Sequence, residues 1–429
     1  MQRWTGCARL HDRLGRNGGA KILTASQFTW RNAMTSTFCP FGTKPWARTA
    51  FWAALLLITI ISITTPGSAS IGNIVKSDLA GTWQIALRGN SSCGVAAMQV
   101  NVTLNGAGTG PASLITHGQC GDSTLSGQSF MVTSLGHNGA GTATLTCGTG
   151  CKWIFNIQVA PNRSSFSLAD AASTNPGDYL EGEAILQSPS GNISISDLTG
   201  SWQATILGET GCGLSSMLVT FTLNSSGVAN NAVSTGHSSG CPDGTVSGLT
   251  FQILSMNPDG SGTANLSCGA GCGWNLNIQV PPDRSTFNLV DVSSANPGNY
   301  IAGVAINNST AGQISTTNLA GAWQLTFYGG TGCGYSASYS TFTLNATGVA
   351  TNVASTGHSS GCPAGHTTGN TFTIQSLKPD GSGTANLTCG AGCGWNLNIQ
   401  LSPDRSTFNL VDVSPANPGN YVIGTAIHQ

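Results

Sequence analysis

Charged side chains are scarce in this 429-residue sequence, which has 15 Lys and Arg and 16 Asp and Glu residues. These charged residues are distributed unevenly along the chain. Residues 1–70 hold eight basic residues and a single acidic one, Asp12, whereas the rest of the chain has seven basic and 15 acidic residues, a net charge of −8. A sparse negative charge disfavours binding to nucleic acid or anionic lipid. We therefore expect no nucleic-acid partner.

The sequence shows no pattern of long amphipathic helices. The chain has 58 Gly with abundant Ser, Thr and Asn, a composition that suits short strands and tight turns. Apolar residues alternate with polar ones at period two, which indicates strands with one buried face. The alternation in one such stretch places these residues on the buried face: Met217, Val219, Phe221 and Leu223.

A hydrophobic targeting segment follows a basic N-terminal segment, residues 1–48. Lys44 and Arg48 precede an uncharged and mostly apolar run, and small residues follow at 66–70, which predicts a signal peptide over 49–70. An uncleaved anchor over residues 50–70 is the alternative, because a membrane span needs about 20 apolar residues. Met34 would begin a conventional signal, so that residues 1–33 would be a gene-start artefact.

Three copies of one module fill the rest of the chain. The copies open at Trp83, Trp202 and Trp323, which lie 119 and 121 residues apart. This spacing is domain-sized and exceeds solenoid periods. It predicts modules over residues 72–187, 192–307 and 313–429, arranged like beads on a string with linkers at 188–191 and 307–312.

Each module is predicted to be all-β, with about eight strands in an antiparallel meander. Eight strands in about 110 residues suit a small closed β-barrel, which leaves no exposed sheet edge, and a two-sheet β-sandwich is the alternative. The predicted strands of the first module start near these residues: Gly81, Cys93, Pro111, Ser126, Gly141, Cys151, Ser164 and Tyr179.

A Gly-x-Trp motif opens the first strand of each module, at residues 81–83, 200–202 and 321–323. The motif resembles the opening of calycin barrels, the lipocalin and avidin group. The resemblance implies a barrel of antiparallel strands. We expect the three Trp side chains to pack in the core at a barrel end.

Cysteines recur four to a module in one order, an even set that is typical of disulfides in an exported chain. Parity places Cys268 and Cys272 on one face of a hairpin, which predicts a bond between them and leaves Cys212 to pair with Cys241. A zinc site is the alternative, although Cys-x3-Cys is not the usual spacing. The predicted disulfide residues are Cys93, Cys120, Cys147, Cys151, Cys212, Cys241, Cys268, Cys272, Cys333, Cys362, Cys389 and Cys393.

The longer loops of a meander module gather at the end that carries the cysteines, which we call the cysteine end, whereas the other end has tight turns. Long cross-linked loops on a rigid scaffold are typical of binding surfaces. The predicted binding end includes His117, Tyr179, His237, Tyr300, His358 and Tyr421.

No motif in the sequence names a reaction. A nucleophile elbow is missing, and the single acid that recurs in all copies, at Asp170, Asp291 and Asp412, cannot form the carboxylate pair of a glycosidase alone. We expect these Asp residues to bond loop amides and the recurring His to bond within loops. Catalytic residues, metals and cofactors are not expected.

The sequence thus predicts an exported binding or surface-display protein that is not an enzyme. It would be located in the periplasm, at the cell surface or outside the cell, or else anchored in a membrane by its N-terminal segment. A neutral glycan, a small ligand or a cell-surface protein is the expected kind of partner. A purely structural envelope or matrix protein is the alternative.

Overall fold

The computed structural model describes residues 73–91, 94–170, 177–189, 191–269, 272–295, 298–308, 314–388, 394–416 and 419–429. The predicted N-terminal and targeting segments, 1–48 and 49–70, lie outside the described residues. Within the described part of the chain, no helix is long and apolar enough to cross a membrane.

Each module folds as a closed barrel of eight antiparallel strands in sequence order, which confirms the predicted fold class and excludes the sandwich. The first barrel consists of β1 Gly81–Ser91, β2 Gly94–Leu104, β3 Thr109–Gly118, β4 Ser123–Leu135, β5 Ala140–Thr146, β6 Lys152–Val159, β7 Ser165–Asp170 and β8 Tyr179–Leu186. These starts lie within three residues of the predicted ones.

The other two barrels repeat this order. The second consists of β9 Gly200–Thr210, β10 Gly213–Leu223, β11 Val228–Ser238, β12 Gly244–Met256, β13 Ser261–Gly269, β14 Cys272–Gln279, β15 Thr286–Asp291 and β16 Tyr300–Asn307. The third consists of β17 Gly321–Thr331, β18 Gly334–Leu344, β19 Val349–Ser359, β20 Gly365–Leu377, β21 Ser382–Thr388, β22 Gly394–Leu401, β23 Thr407–Asp412 and β24 Tyr421–His428.

A short 3₁₀ helix precedes each barrel, at Lys76–Leu79, Ile195–Leu198 and Thr316–Leu319. The indole nitrogen of the following Trp donates a hydrogen bond to the last carbonyl of this helix, for example from Trp202 to Leu198 at 2.9 Å. The three Trp side chains of the motif are fully buried, as expected from the sequence.

The backbone conformation explains why the Gly-x-Trp motif begins with glycine. Gly81, Gly200 and Gly321 have φ of 148°, 137° and 144°, a region that side-chain-bearing residues avoid. At Gly321 a Cβ would also collide with the His428 ring. The motif thus turns the chain from the 3₁₀ helix into the first strand.

The barrels pack side by side, which corrects the prediction of beads on a string. Strands β1 and β2 lie against β15 and β16, β9 and β10 lie against β23 and β24, and β17 and β18 lie against β7 and β8. The same pair of faces is therefore used three times, and the third contact closes a ring, as in a cyclic trimer. The described residues, from 73 to 429, belong to one compact unit.

Contacts between barrels occur both at the tight-turn end and at the cysteine end. At the turn end Asn162 Nδ2 donates to Oδ2 of Asp283 and of Asp404, each at 2.8 Å. These are the same turn position in the three modules. At the cysteine end the contacts are aromatic and are described below.

Candidate ligand-binding site

Disulfides shape the cysteine end of the barrels. Cys212 bonds Cys241 and Cys333 bonds Cys362, which ties the first hairpin of a barrel to the loop after its third strand, and Cys147 bonds Cys151 across a hairpin. These pairings confirm the predicted ones. Cys120 is also disulfide-bonded. The predicted pairings of Cys93, Cys268, Cys272, Cys389 and Cys393 fall on residues whose side chains are not described.

The cysteine end of the third barrel opens into a cavity of about 530 Å³. Phe327 and Trp395 line it on the apolar side, with ring centroids 6.1 Å apart. Three serines, Ser338, Ser340 and Ser355, line its floor and walls. A cavity of this size is in the range of small-molecule sites.

The second barrel has a cavity of about 430 Å³ at the same end. Met217 and Trp274 line it together with Ser234, the counterpart of Ser355 in the strand register. Among the described residues that line either cavity there is no Asp, Glu, Lys or Arg. The lining is therefore apolar with small polar groups and carries no fixed charge.

The first barrel is filled at the corresponding positions. Met98, Val100 and Leu114 occupy the register positions of Ser338, Ser340 and Ser355, and all three are buried in the core. Phe155 likewise stands where the other barrels have a leucine, and it is fully buried. The third barrel thus has smaller side chains at all of these positions, whereas the second keeps Met217 and Val219 and differs by the smaller Ser234 and Leu276.

A second difference concerns the Trp at the cavity wall. In the first barrel Trp153 Nε1 donates a hydrogen bond of 2.8 Å to Asp178 Oδ2. The residue before the strand-eight Tyr is Asn299 in the second barrel and Asn420 in the third. This pair was not predicted from the sequence, although the change from Asp to Asn between the copies is visible in it.

The six His and Tyr residues of the predicted binding end do meet, but across barrels. The ring centroids of His117 and Tyr300 are 4.8 Å apart, those of His237 and Tyr421 are 4.6 Å apart, and those of Tyr179 and His358 are 4.7 Å apart. Four of the six are buried, with exposed fractions between 2 and 9%. They lie at the predicted end, within the interfaces between barrels.

Each interface histidine is held by a neighbouring polar group. Nδ1 of His117 bonds Asp122, and Nδ1 of His237 bonds Asp243 at 2.6 Å. The third barrel has Ala364 at the matching position, and there Nε2 of His358 lies 3.7 Å from Asp170 of the first barrel. Burial lowers the pKa of His358. The histidines therefore bond loop residues, as expected, and also join barrels.

The recurring Asp residues bond loop amides, as expected from the sequence. Asp291 and Asp412 each accept a hydrogen bond of 2.9 Å from the amide two residues later. Their remaining carboxylate oxygens are buried beside the interface histidines. Burial raises the pKa of both carboxyls to about 6. Of these groups, His237 and His358 also line the cavities of the second and third barrels, whereas neither cavity lining includes one of the recurring Asp residues.

A charged cluster between the barrels was not expected from the sequence. Arg88 and Glu181 of the first barrel form a fully buried ion pair at 2.6 Å, and Glu181 also accepts a hydrogen bond from Thr326 of the third barrel. Glu183 lies next to this pair, where burial and the Glu181 carboxylate raise its pKa to about 8. The second and third modules have no counterpart of this arginine, since Leu207 and Tyr328 stand at the position of Arg88. The repeat pattern therefore gave no indication of the cluster.

Two arginines in the turns opposite the cavities, Arg163 and Arg284, form ion pairs. Arg163 Nε lies 3.1 Å from Asp78, and Arg284 Nε lies 3.4 Å from Asp197. Each acid belongs to the 3₁₀ helix below the barrel, so these contacts hold that helix in place at the end opposite the cavities.

Comparison with known proteins places the chain in no family. No family model and no curated protein matches it. Among solved structures, kievitone hydratase from Nectria haematococca is 8% identical with a TM-score of 0.22, covering 56% of this chain and 94% of its own. CghA is 8% identical with a TM-score of 0.21, and CghA with Sch210972 is 10% identical with a TM-score of 0.20. Both cover 81% of this chain and 87% of their own.

Proposed function

We propose that this chain is an exported binding protein that takes small neutral ligands into the cysteine-end cavities of its second and third barrels. The observation that carries this proposal is the pair of cavities, about 430 and 530 Å³, in barrels whose first counterpart is filled. Preformed, mostly apolar cavities with a few polar groups are the usual form of a small-molecule site.

The absence of charge in the lining favours neutral ligands. A charged group that enters an apolar cavity loses its hydration, and without a nearby countercharge that loss is not recovered. Two sites in one chain would also raise the avidity for a ligand displayed in several copies. Enzymatic activity has no comparable support, since the histidines that line the cavities, His237 and His358, pack against tyrosines of neighbouring barrels and serve as interface contacts.

Filling the cavity tests the proposal. The substitutions Ser338→Met, Ser340→Val and Ser355→Leu copy the first barrel into the third, and Ser234→Leu does so in part for the second. The neutral dye 6-propionyl-2-dimethylaminonaphthalene is titrated while its emission is followed. We expect the filled variant to bind it about tenfold more weakly or worse. Gln375→Met, on the exposed surface of the third barrel, is the matched control.

Equal dye binding by the filled variant and the control would contradict a cavity site and would favour display or a purely structural role. A bound dye whose emission stays that of an aqueous environment would do the same.

Export is proposed on two grounds, the targeting segment and the disulfides, which form and persist in oxidising compartments. Mature protein from the native host should begin near Ser70 or Ile71, as measured by mass spectrometry of the intact chain. A mature chain that retains residues 52–63 would instead support a membrane anchor.

A further inference from the structure

We propose that the indole N–H groups of Trp274 and Trp395 donate hydrogen bonds to the ligand. The second and third barrels would then select neutral molecules that carry an acceptor oxygen, such as a ketone or ester carbonyl, on an apolar body. This inference rests on the proposed binding function of the same cavities and adds the chemical class of the ligand.

In the first barrel the equivalent indole N–H has an acceptor within the chain. There Trp153 Nε1 donates to Asp178, and both side chains are buried. Asp178 stands immediately before the Tyr that starts the eighth strand, and this position is Asn299 in the second barrel and Asn420 in the third. Both asparagines line the cavities. In the first barrel a carboxylate of the chain itself thus accepts the hydrogen bond of the indole.

In the other two barrels the equivalent indole N–H has no acceptor among the described residues. Nε1 of Trp274 and Nε1 of Trp395 are inaccessible to solvent and have no hydrogen-bond partner in the part of the chain that the structure describes. Trp274 itself is 8% exposed and lines its cavity, as Trp395 lines the other. A buried N–H without an acceptor is unfavourable, and a ligand oxygen removes that cost if it displaces Asn299 or Asn420 and takes the place that the Asp178 carboxylate holds in the first barrel.

The remaining lining decides what kind of acceptor fits. A carboxylate or phosphate would also accept from the indole, but the described lining offers no Lys or Arg to offset its lost hydration, and its two histidines, His237 and His358, already lie beside Asp243 and Asp170. A carbonyl oxygen is uncharged and needs a single donor. The aromatic and aliphatic walls, Phe327 and Val422 in the third barrel and Leu249 in the second, then suit an apolar body.

The experiment compares two probes of the same shape. 2-Acetylnaphthalene carries a carbonyl, and 2-isopropenylnaphthalene replaces its oxygen with a methylene group. Both are titrated by isothermal titration calorimetry into the full mature chain, into Trp274→Phe/Trp395→Phe, and into Asn299→Asp/Asn420→Asp. Trp153→Phe in the first barrel is the matched control. Indole ¹H–¹⁵N spectra report on the donors directly.

We expect the original chain and the Trp153→Phe control to prefer the ketone by about three- to tenfold, the value of one hydrogen bond. Both double variants should lose this preference and still bind the hydrocarbon, and two indole resonances should shift with the ketone. The Asn→Asp variant copies Asp178 and so supplies an internal acceptor while both Trp rings stay in place. Loss of the ketone preference in this variant is therefore not a packing effect of the Trp→Phe changes.

Equal affinity for both probes in the original chain, or a ketone preference that survives both double variants, would overturn the inference and leave the binding function standing. Failure of both probes to bind the original chain would overturn the binding function and the inference together.

Discussion

At the residue scale, the Trp of the Gly-x-Trp motif is the clearest case of a role that the sequence predicts. A large aromatic residue next to a glycine at the start of each module indicated core packing, and the structure buries all three. The ring of Trp202 packs 4.8 Å from that of Phe287, and its nitrogen bonds the 3₁₀ helix. The cavity Trp residues could not be interpreted in the same way, because their role depends on one neighbour, Asp178 or an Asn.

Replacement of Trp202 tests the packing role. Trp202→Ala should lower the free energy of unfolding by about 3 to 5 kcal/mol, because it removes a fully buried aromatic ring. Trp202→Phe should cost less, since it keeps a ring and loses the hydrogen bond to Leu198. Urea unfolding followed by circular dichroism measures both, and a loss below about 1 kcal/mol for Trp202→Ala would contradict the assignment.

At the element scale, strands and turns follow closely from the sequence. Alternation at period two and the turn residues located every strand of the first barrel to within three residues. The disulfide partners followed from the same parity, since residues on one face of a hairpin come close together. The bulges of the fourth strand, for example between Ile253 and Ser255, had no sequence signal.

The two kinds of disulfide should differ in their effect on stability. Cys212 and Cys241 are 29 residues apart and Cys147 and Cys151 are four apart. Chain entropy gives about 3 to 4 kcal/mol for the longer loop and about 2 for the shorter one. Double Cys→Ala variants compared by thermal unfolding should rank in this order. The reverse order would mean that hairpin strain or packing dominates.

At the scale of the whole molecule, the ring of three barrels was not expected. Outward-facing residues of the first, second, seventh and eighth strands are buried against the next barrel, and several are polar. Asn288 donates to the backbone oxygens of Gln84 and Glu183, and Asn409 donates to that of Val304. Such hydrogen bonds let polar strand faces be buried without loss, because buried polar groups are tolerated when they are paired.

The buried Glu183 should make stability depend on pH. Its folded-state pKa of about 8 lies above the ordinary 4.5, so the folded chain binds more protons than the unfolded chain between these values. Stability should therefore fall as pH rises from 5 to 8, by a few kcal/mol at most. Asp291 and Asp412 act in the same direction between about 4 and 6.

Glu183→Gln should flatten this dependence, with a larger gain in melting temperature at pH 8 than at pH 5. Asp380→Asn, at a partly exposed turn where the amide oxygen can still accept the hydrogen bond from the Ser382 amide, serves as the control. An unchanged pH profile in Glu183→Gln would contradict the assigned protonation.

An isolated module should fold but should not stay monomeric. Residues 311–429 retain a complete barrel, yet alone they expose Tyr328, Val411 and Ile423, which the other barrels cover in the full chain. Exposed apolar faces of this kind associate. Size-exclusion chromatography with light scattering should show self-association, whereas a stable monomer would mean that the interfaces contribute little.

The sequence by itself determined the strand content, the antiparallel meander, the cysteine pairing and the buried motif Trp, because these depend on local periodicity and on residues close along the chain. The tertiary structure alone decided that each meander closes as a barrel, that the barrels form a ring, that the Arg88–Glu181 pair is buried at an interface, and that two barrels have a cavity at the cysteine end. Those features depend on which side chains meet across strands and across modules. Met98 and Met217 occupy the same register position, yet Met98 is part of the first core and Met217 lines the cavity of the second barrel, because the residues packed around them differ.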